Sequence, residues 1–261
     1  MKNEQIYQHF RNEEEPLIDE LLSLIARAEN EYRPVLTPFL NPRECYIAKS
    51  ILGQNDNVKA SFYGGAKKAE RQRILFYPVY FEVETKDFNI SLVEIEYPIK
   101  FATLKHGQIL GTLANAGVKY DVLGDILTDG QRWQFFVQNN MVSFFLEQVT
   151  QIGRIKVRLR EIDMGSKVNT IDAWENETTT VSSLRIDGVV SNCYHISRQH
   201  TKALIKAHKI HVNWMQLEKP DYMLESYDII SVRGYGRIRL NEVSGISKKG
   251  KLRLDISVLR K

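Results

Sequence analysis

The sequence predicts an α+β protein in three parts: a mostly helical N-terminal domain, a βαββαβ middle domain, and a C-terminal module of two helices on a small sheet. Three observations carry this. Apolar residues between 17 and 28 repeat at helical spacing, and residues 87–163 alternate strand and helix patterns in a fixed order. Basic residues concentrate beyond residue 181. The expected boundaries are 1–80, 81–174 and 182–261, with a linker at 175–181.

Composition bounds the class first. At 261 residues, 43% hydrophobic and 26% charged, the chain has ordinary globular usage, which excludes disordered, collagen-like and disulfide-scaffold proteins. No apolar run approaches the roughly 18–20 residues that span a bilayer. The opening MKNEQIYQHFRNEEE is too polar and acidic for a secretory signal, so a cytoplasmic protein with no membrane partner is expected. Cys45 and Cys193 lie far apart without C-x-x-C spacing, which argues for reduced, partly buried thiols and against a metal site.

Along the first 80 residues, PLIDELLSLIARAENEY places Leu17, Leu21, Leu24, Ile25 and Ala28 on one helical face. Asn41-Pro42 reads as an N-cap followed by proline at the first helical position. SFYGGAKKAERQRILFYPVYF gives a Gly64-Gly65 turn, a charged run and then an apolar, strand-like run.

The middle segment reads strand (FNISLVEIEYP), helix (HGQILGTLANAG, closed by Gly117), then two strands (YDVLGDILTD and RWQFFVQ) joined across Asp129-Gly130. A helix (NMVSFFLEQVTQIG) and a strand (KVRLREID) follow. This is the ferredoxin-like split βαβ order. Because that fold can bind RNA on its sheet, Phe135 and Phe136 are candidate stacking residues; core packing with one exposed ring is the simpler expectation. ENETTTVSS, polar and Thr/Ser-rich, reads as a linker.

Residues 182–261 hold 15 Lys+Arg against 7 Asp+Glu, a net of +8, whereas residues 1–181 hold 21 and 25, a net of −4. Four of the six histidines also fall in the basic part. Ser197 is a plausible N-cap for the helix RQHTKALIKAH, with Ala203, Leu204 and Ala207 facing a core. Arg198, Lys202 and Lys206 fall at i, i+4 and i+8, and Lys209 continues the stripe. Like charges at this spacing repel, and a polyanion would relieve the repulsion. KIHVNW and DIISVRGYGRIRL read as strands, the second carrying Arg233, Arg237 and Arg239. A basic helix face on a small sheet suits the backbone of a folded RNA.

On LRID, ISRQ, the following helix, HVNW and ESYDIISVRG, residues 182–240 resemble the RNA-binding domain named after ribosomal small-subunit protein S-four. Two positions depart from that family's pattern: His208 and Tyr227 stand where glycine is usual, and histidine tolerates the left-handed turn better than most residues. The resemblance implies RNA contact at Arg185, Ser197, Arg198, Lys202, Lys206, Lys209, Asn213 and Arg233. Asn213 is equally a turn former. With TPFLNPRE, FYGGAKKAER, LGTLANAGVKYDVLGDIL, VNW and SVRGYGR added, nearly the whole chain resembles the YlmH family of bacterial RNA-binding proteins. That resemblance implies ribosomal RNA and tRNA as partners, on the large ribosomal subunit, in rescue of stalled translation.

No nucleotide-binding glycine loop, nucleophile elbow or metal spacing occurs, so neither a catalytic residue nor a cofactor nor a small-molecule substrate is expected. Glu94 and Glu96 share one strand face and read as a solvated pair. Two alternatives stay open. A pseudouridine synthase would carry its aspartate in an R-L-D setting, of which Arg185-Ile186-Asp187 is the nearest trace. A cell-division interaction factor would use the basic face on an acidic protein or lipid. The favoured reading is a non-catalytic, monomeric RNA-binding adaptor.

Overall fold

The structure, a computed structural model, describes residues 7–53, 55–170 and 174–260. It divides into two compact units, Met1–Ile171 and Asp172–Lys261. The first unit spans both the N-terminal and the middle parts of the chain.

In the first unit, α1 (Glu15–Asn30) starts with proline in its first turn and buries Ile18, Leu21, Ile25 and Ala28. Ile18, not Leu17, centres the apolar face; Leu17 and Leu24 flank it, half-buried. The helix α2 (Pro42–Leu52) is capped by Asn41, whose side chain accepts from the Glu44 amide at 3.0 Å while Glu44 accepts from the Asn41 amide at 2.7 Å. This reciprocal pair satisfies two of the amides a helix start leaves unpaired. Both helices pack on an antiparallel sheet of order β1-β3-β2, formed by β1 (Val35–Leu36), β2 (Val58–Tyr63) and β3 (Arg73–Pro78). The expected N-terminal helical region is present, and a three-stranded sheet accompanies it. The runs beside the glycine turn are both strands, since Val58, Phe62, Ile74 and Phe76 must cover the helices.

The middle part holds β4 (Ile90–Glu96), α3 (His106–Ala114), β5 (Leu123–Thr128), β6 (Trp133–Gln138), α4 (Val142–Gln148) and β9 (Arg158–Ile162). The short hairpin β7 (Gln151–Ile152) and β8 (Ile155–Lys156) precedes β9. The antiparallel sheet runs β5-β6-β4-β9, the strand arrangement of the ferredoxin-like split βαβ motif. One sheet face buries Val93, Ile95, Phe135 and Val137 under α3 and α4. The other buries Leu92, Leu127 and Phe136 under Phe39, Ala66 and Val168.

That second face corrects the expectation of one exposed ring: Phe135 and Phe136 are both 0% exposed. A Cβ on Gly65 would lie 2.4 Å from the Phe136 ring, so the Gly64-Gly65 turn lies directly on the sheet. Arg71 fastens the junction. Its Nε donates to the Leu123 carbonyl at 2.8 Å and its Nη2 to the Phe39 carbonyl at 3.0 Å. Asp125 accepts from the backbone amides of Glu70 and Arg71.

The second unit is built on α5 (Ile186–Cys193) and α6 (Arg198–Lys206), packed against a six-stranded antiparallel sheet of order β10-β15-β14-β13-β11-β12. These strands are β10 (Glu175–Val181), β11 (Ile210–Val212), β12 (Met215–Gln216), β13 (Ile229–Val232), β14 (Gly236–Ile246) and β15 (Leu252–Arg260). The expected linker 175–181 is instead the edge strand β10, paired along its length with β15. Its threonines are β-branched and favour a strand, and an edge strand needs little apolar surface. Arg260 also pairs with Glu175 and Glu177 across that edge. The single strand expected over 228–240 is two, β13 and β14, joined by a turn at 233–235. Fully buried Ile186, Val189, Ile210, Ile230, Ile238 and Leu240 form the core, each contributing very roughly 1.5–3 kcal/mol. Among the described residues, no helix is long and apolar enough to cross a membrane.

Candidate nucleic-acid interface

The helix α6 is positioned by its cap and its inner face. The Ser197 hydroxyl accepts from the His200 amide at 3.0 Å, which fixes the first turn. Thr201, Leu204 and Ile205 are buried. Ala203 and Ala207, expected inside, are exposed, because Thr201 and Ile205 occupy the core side of this nine-residue helix.

The outer side carries Arg198, Lys202 and Lys206, all exposed, at steps of about 6 Å along the axis. Lys206 lies in the last turn, where a cation also complements the helix dipole. The turn beyond holds His208 at φ +55°, the left-handed conformation its place requires, and then exposed Lys209. The Arg233 amide donates to the Lys209 carbonyl at 2.9 Å, which brings a fifth exposed cation beside Lys209. Among the described residues, none of these five cations is in an ion pair.

Two contacts hold the ridge in place. A Cβ built on Gly188 of α5 would stand 2.5 Å from Arg198 Nη2, so the guanidinium lies over bare backbone. The hydroxyl of Tyr235, in the 233–235 turn, meets His200 Nε2 at 3.0 Å, and its ring packs tilted against Tyr194 with 5.4 Å between centroids.

The other residues expected in the site are placed elsewhere or engaged. Arg185 pairs at 3.3 Å with Asp187, whose side chain is 2% exposed, and this hydrogen bond raises the arginine pKa. Asn213 is a turn residue at φ +48°: its amide nitrogen donates to Asp228 at 2.8 Å and its oxygen accepts from the Ile229 amide at 2.9 Å. Arg237 and Arg239 alternate with core residues Ile238 and Leu240, so they lie on the sheet face away from the helices. Arg237 sits between the indoles of Trp174 and Trp214, 5.4 and 5.7 Å from their centroids. Arg239 stacks on Trp174 and bonds Asn241 and Ser257. The geometry thus brings together Arg198, Lys202, Lys206, Lys209 and Arg233, separates Arg237 and Arg239 from them, and gives Ser197 and Asn213 structural duties.

Sequence reading placed Arg237 in the site, and SVRGYGR spans Tyr235, but it gave no role to Gly188 or to the approach of Trp174 and Trp214 to Arg237. Trp214 adopts φ +68°, rare for an aromatic, in the tight turn between β11 and β12.

Other chemical candidates lose their openness. Glu94 accepts from Arg132 at 2.7 Å and Arg160 at 3.2 Å, and Glu96 from Arg160 at 2.7 Å, which makes the strand pair an ion network. Burial pushes the thiols of Cys45 and Cys193 up to about 12, well away from the nucleophilic range. Among the described residues, no group of three or more His, Cys, Asp or Glu is placed to hold a metal.

An α+β body with a cationic helix ridge is the class of protein that suits a polyanion partner, and comparison with known proteins narrows it. Residues 83–166 match the family description "Putative RNA-binding domain in YlmH", and residues 13–81 match "YlmH, N-terminal". The chain is 37% identical over 250 residues to the "Ribosome-associated protein quality control protein P2" of Bacillus subtilis (strain 168), covering 95% of this chain and 96% of that protein. A solved structure of "Cell division protein ylmH from Streptococcus pneumoniae" is 38% identical with a TM-score of 0.53, over 62% of this chain and 99% of that one. The chain belongs to the YlmH family.

Proposed function

We propose that this protein is a non-catalytic RNA-binding factor that docks on ribosomal RNA and tRNA at the large ribosomal subunit during rescue of stalled translation. It works in the cytoplasm as a monomer. The observation that carries the reading is the unpaired ridge of Arg198, Lys202, Lys206, Lys209 and Arg233. Phosphate contacts from such a ridge fix position without reading sequence. The name of the Bacillus subtilis relative supports the ribosomal setting.

The enzyme alternative is disfavoured by Asp187. It stands in the first turn of α5, side chain 2% exposed and paired to Arg185, where no substrate base reaches it.

Replacing Arg198, Lys202 and Lys206 together with Glu tests the reading. Co-sedimentation with large ribosomal subunits is expected to vanish while the melting temperature holds, because all three side chains are exposed. Losing three phosphate contacts should also flatten the log-affinity versus log-salt slope by very roughly 2–3. Persistent co-sedimentation refutes the assigned face. Purified protein free of salt-removable RNA points to the division-factor alternative.

A further inference from the structure

We infer that the β4–α3 loop, residues 97–105, is a second RNA contact in which Phe101 stacks on an unpaired base. The inference rests on the RNA-binding reading above and assigns a different surface to it. A ferredoxin-like sheet that binds RNA ordinarily stacks bases on its open face. Here that face is closed: Phe136 is 0% exposed, and Phe39, Ala66 and the Gly64-Gly65 turn lie on it. Any RNA held by this part of the chain has to be met at its rim.

At one rim stands Phe101, 90% exposed, with Ile99 at 46%. The loop is not slack. Leu104, 2% exposed, anchors it in the core beneath α3. The amides of Phe101 and Ala102 both donate to the Pro98 carbonyl, at 2.9 and 3.0 Å. The Tyr97 hydroxyl donates to the Gln131 carbonyl at 2.6 Å, tying the loop to the β5–β6 hairpin. A phenylalanine held out of the core by an ordered loop is presented to a partner.

The surroundings select the partner. Lys100 and Lys105, one residue before and four after Phe101 in the same loop, are exposed. Glu96 is in register with Arg158, which brings the start of β9 to the same end of the sheet. A Cβ on Gly153 would lie 3.2 Å from Gln108 Nε2 in the first turn of α3, so Arg154 and the β7–β8 hairpin stand beside Lys105. Lys100, Lys105, Arg154, Lys156 and Arg158 form no ion pairs among the described residues. The nearby carboxylates are engaged: Glu94 and Glu96 hold Arg132 and Arg160, and Asp129 accepts from the amides of Gln131 and Arg132. One exposed ring among unneutralised cations matches a base face with its flanking phosphates, the chemistry of single-stranded or looped RNA.

The test uses the full chain and a 12-nucleotide oligouridylate carrying one central 2-aminopurine, read by anisotropy and by 2-aminopurine quenching. Phe101→Ala should weaken binding roughly 5- to 100-fold and abolish quenching, and Phe101→Tyr should restore both. Lys100→Glu with Lys105→Glu should weaken binding and flatten its salt dependence. The α6 triple-Glu variant should keep its quenching. Equal quenching and affinity in Phe101→Ala overturns the inference. So does a wild-type protein that co-sediments with ribosomal subunits yet ignores the probe, an outcome that leaves the ridge reading intact. Conversely, loss of the ridge reading with probe quenching retained leaves this contact standing. A photocrosslinker at position 101 that captures ribosomal protein and not RNA also overturns it.

Discussion

The guanidinium of Arg198 lies against the backbone of Gly188, so close that a Cβ at 188 would stand 2.5 Å from Nη2. The ridge on α6 is therefore set partly by what α5 lacks. Gly188→Ala separates binding from stability. Alanine is the better helix former, by up to about 1 kcal/mol, and the only obstacle is the movable end of a long side chain. The melting temperature should hold or rise. RNA affinity should fall about fivefold, on the order of the 1 kcal/mol expected when one charge-assisted phosphate contact is displaced. An unaltered affinity would show that Arg198 need not sit where it does.

Asn213 gives the opposite pattern. It occupies φ +48°, donates to buried Asp228 and accepts from the Ile229 amide. Asn213→Ala leaves that amide without its acceptor and puts alanine in a left-handed conformation. The expected loss is about 2–3 kcal/mol of unfolding free energy, read by denaturant titration. RNA affinity measured well below the melting temperature should stay within about twofold. A selective loss of RNA binding at unchanged stability would return Asn213 to the interface.

What the sequence made legible and what it hid divide along contact distance. The βαββαβ order was readable because each segment carries its own period: FNISLVEIE and RWQFFVQ as strands, NMVSFFLEQ as a helix. The ridge was readable because Arg198, Lys202 and Lys206 share one local face. The strand at 175–181 was hidden, since its partner at 252–260 is remote and its threonines look like linker polarity. The closing of the middle sheet was hidden for the same reason: Phe39 and Gly65 meet Phe136 only after the chain has folded. The face of α6 was misjudged because nine residues sample too few turns to place Ala203 outside and Ile205 inside. Arg237 and Arg239 were grouped with Arg233 because a turn at 233–235 was read as continuous strand, and the alternation that sends them to the other face starts only after it.

The junction of the first unit carries a pH dependence of its own. Asp125 accepts from the amides of Glu70 and Arg71, and burial, with the charge of Glu70 second, pushes its pKa from 3.8 up to about 6. A carboxyl raised in the folded state favours the protonated native form. Its stabilising contribution is complete below the unfolded value near 4 and is lost as the pH rises through about 6. The shift corresponds to at most about 3 kcal/mol, and to less here because the residue retains some solvent contact. Asp125→Asn keeps the size and removes the titration. The difference in unfolding free energy between wild type and Asp125→Asn, followed by denaturant titration from pH 4 to pH 7, should shift steadily against the wild type and level off above about 6.5. A difference flat across that range would show that the carboxyl is already ionised in the folded protein at pH 4, and that its two amide hydrogen bonds outweigh its burial.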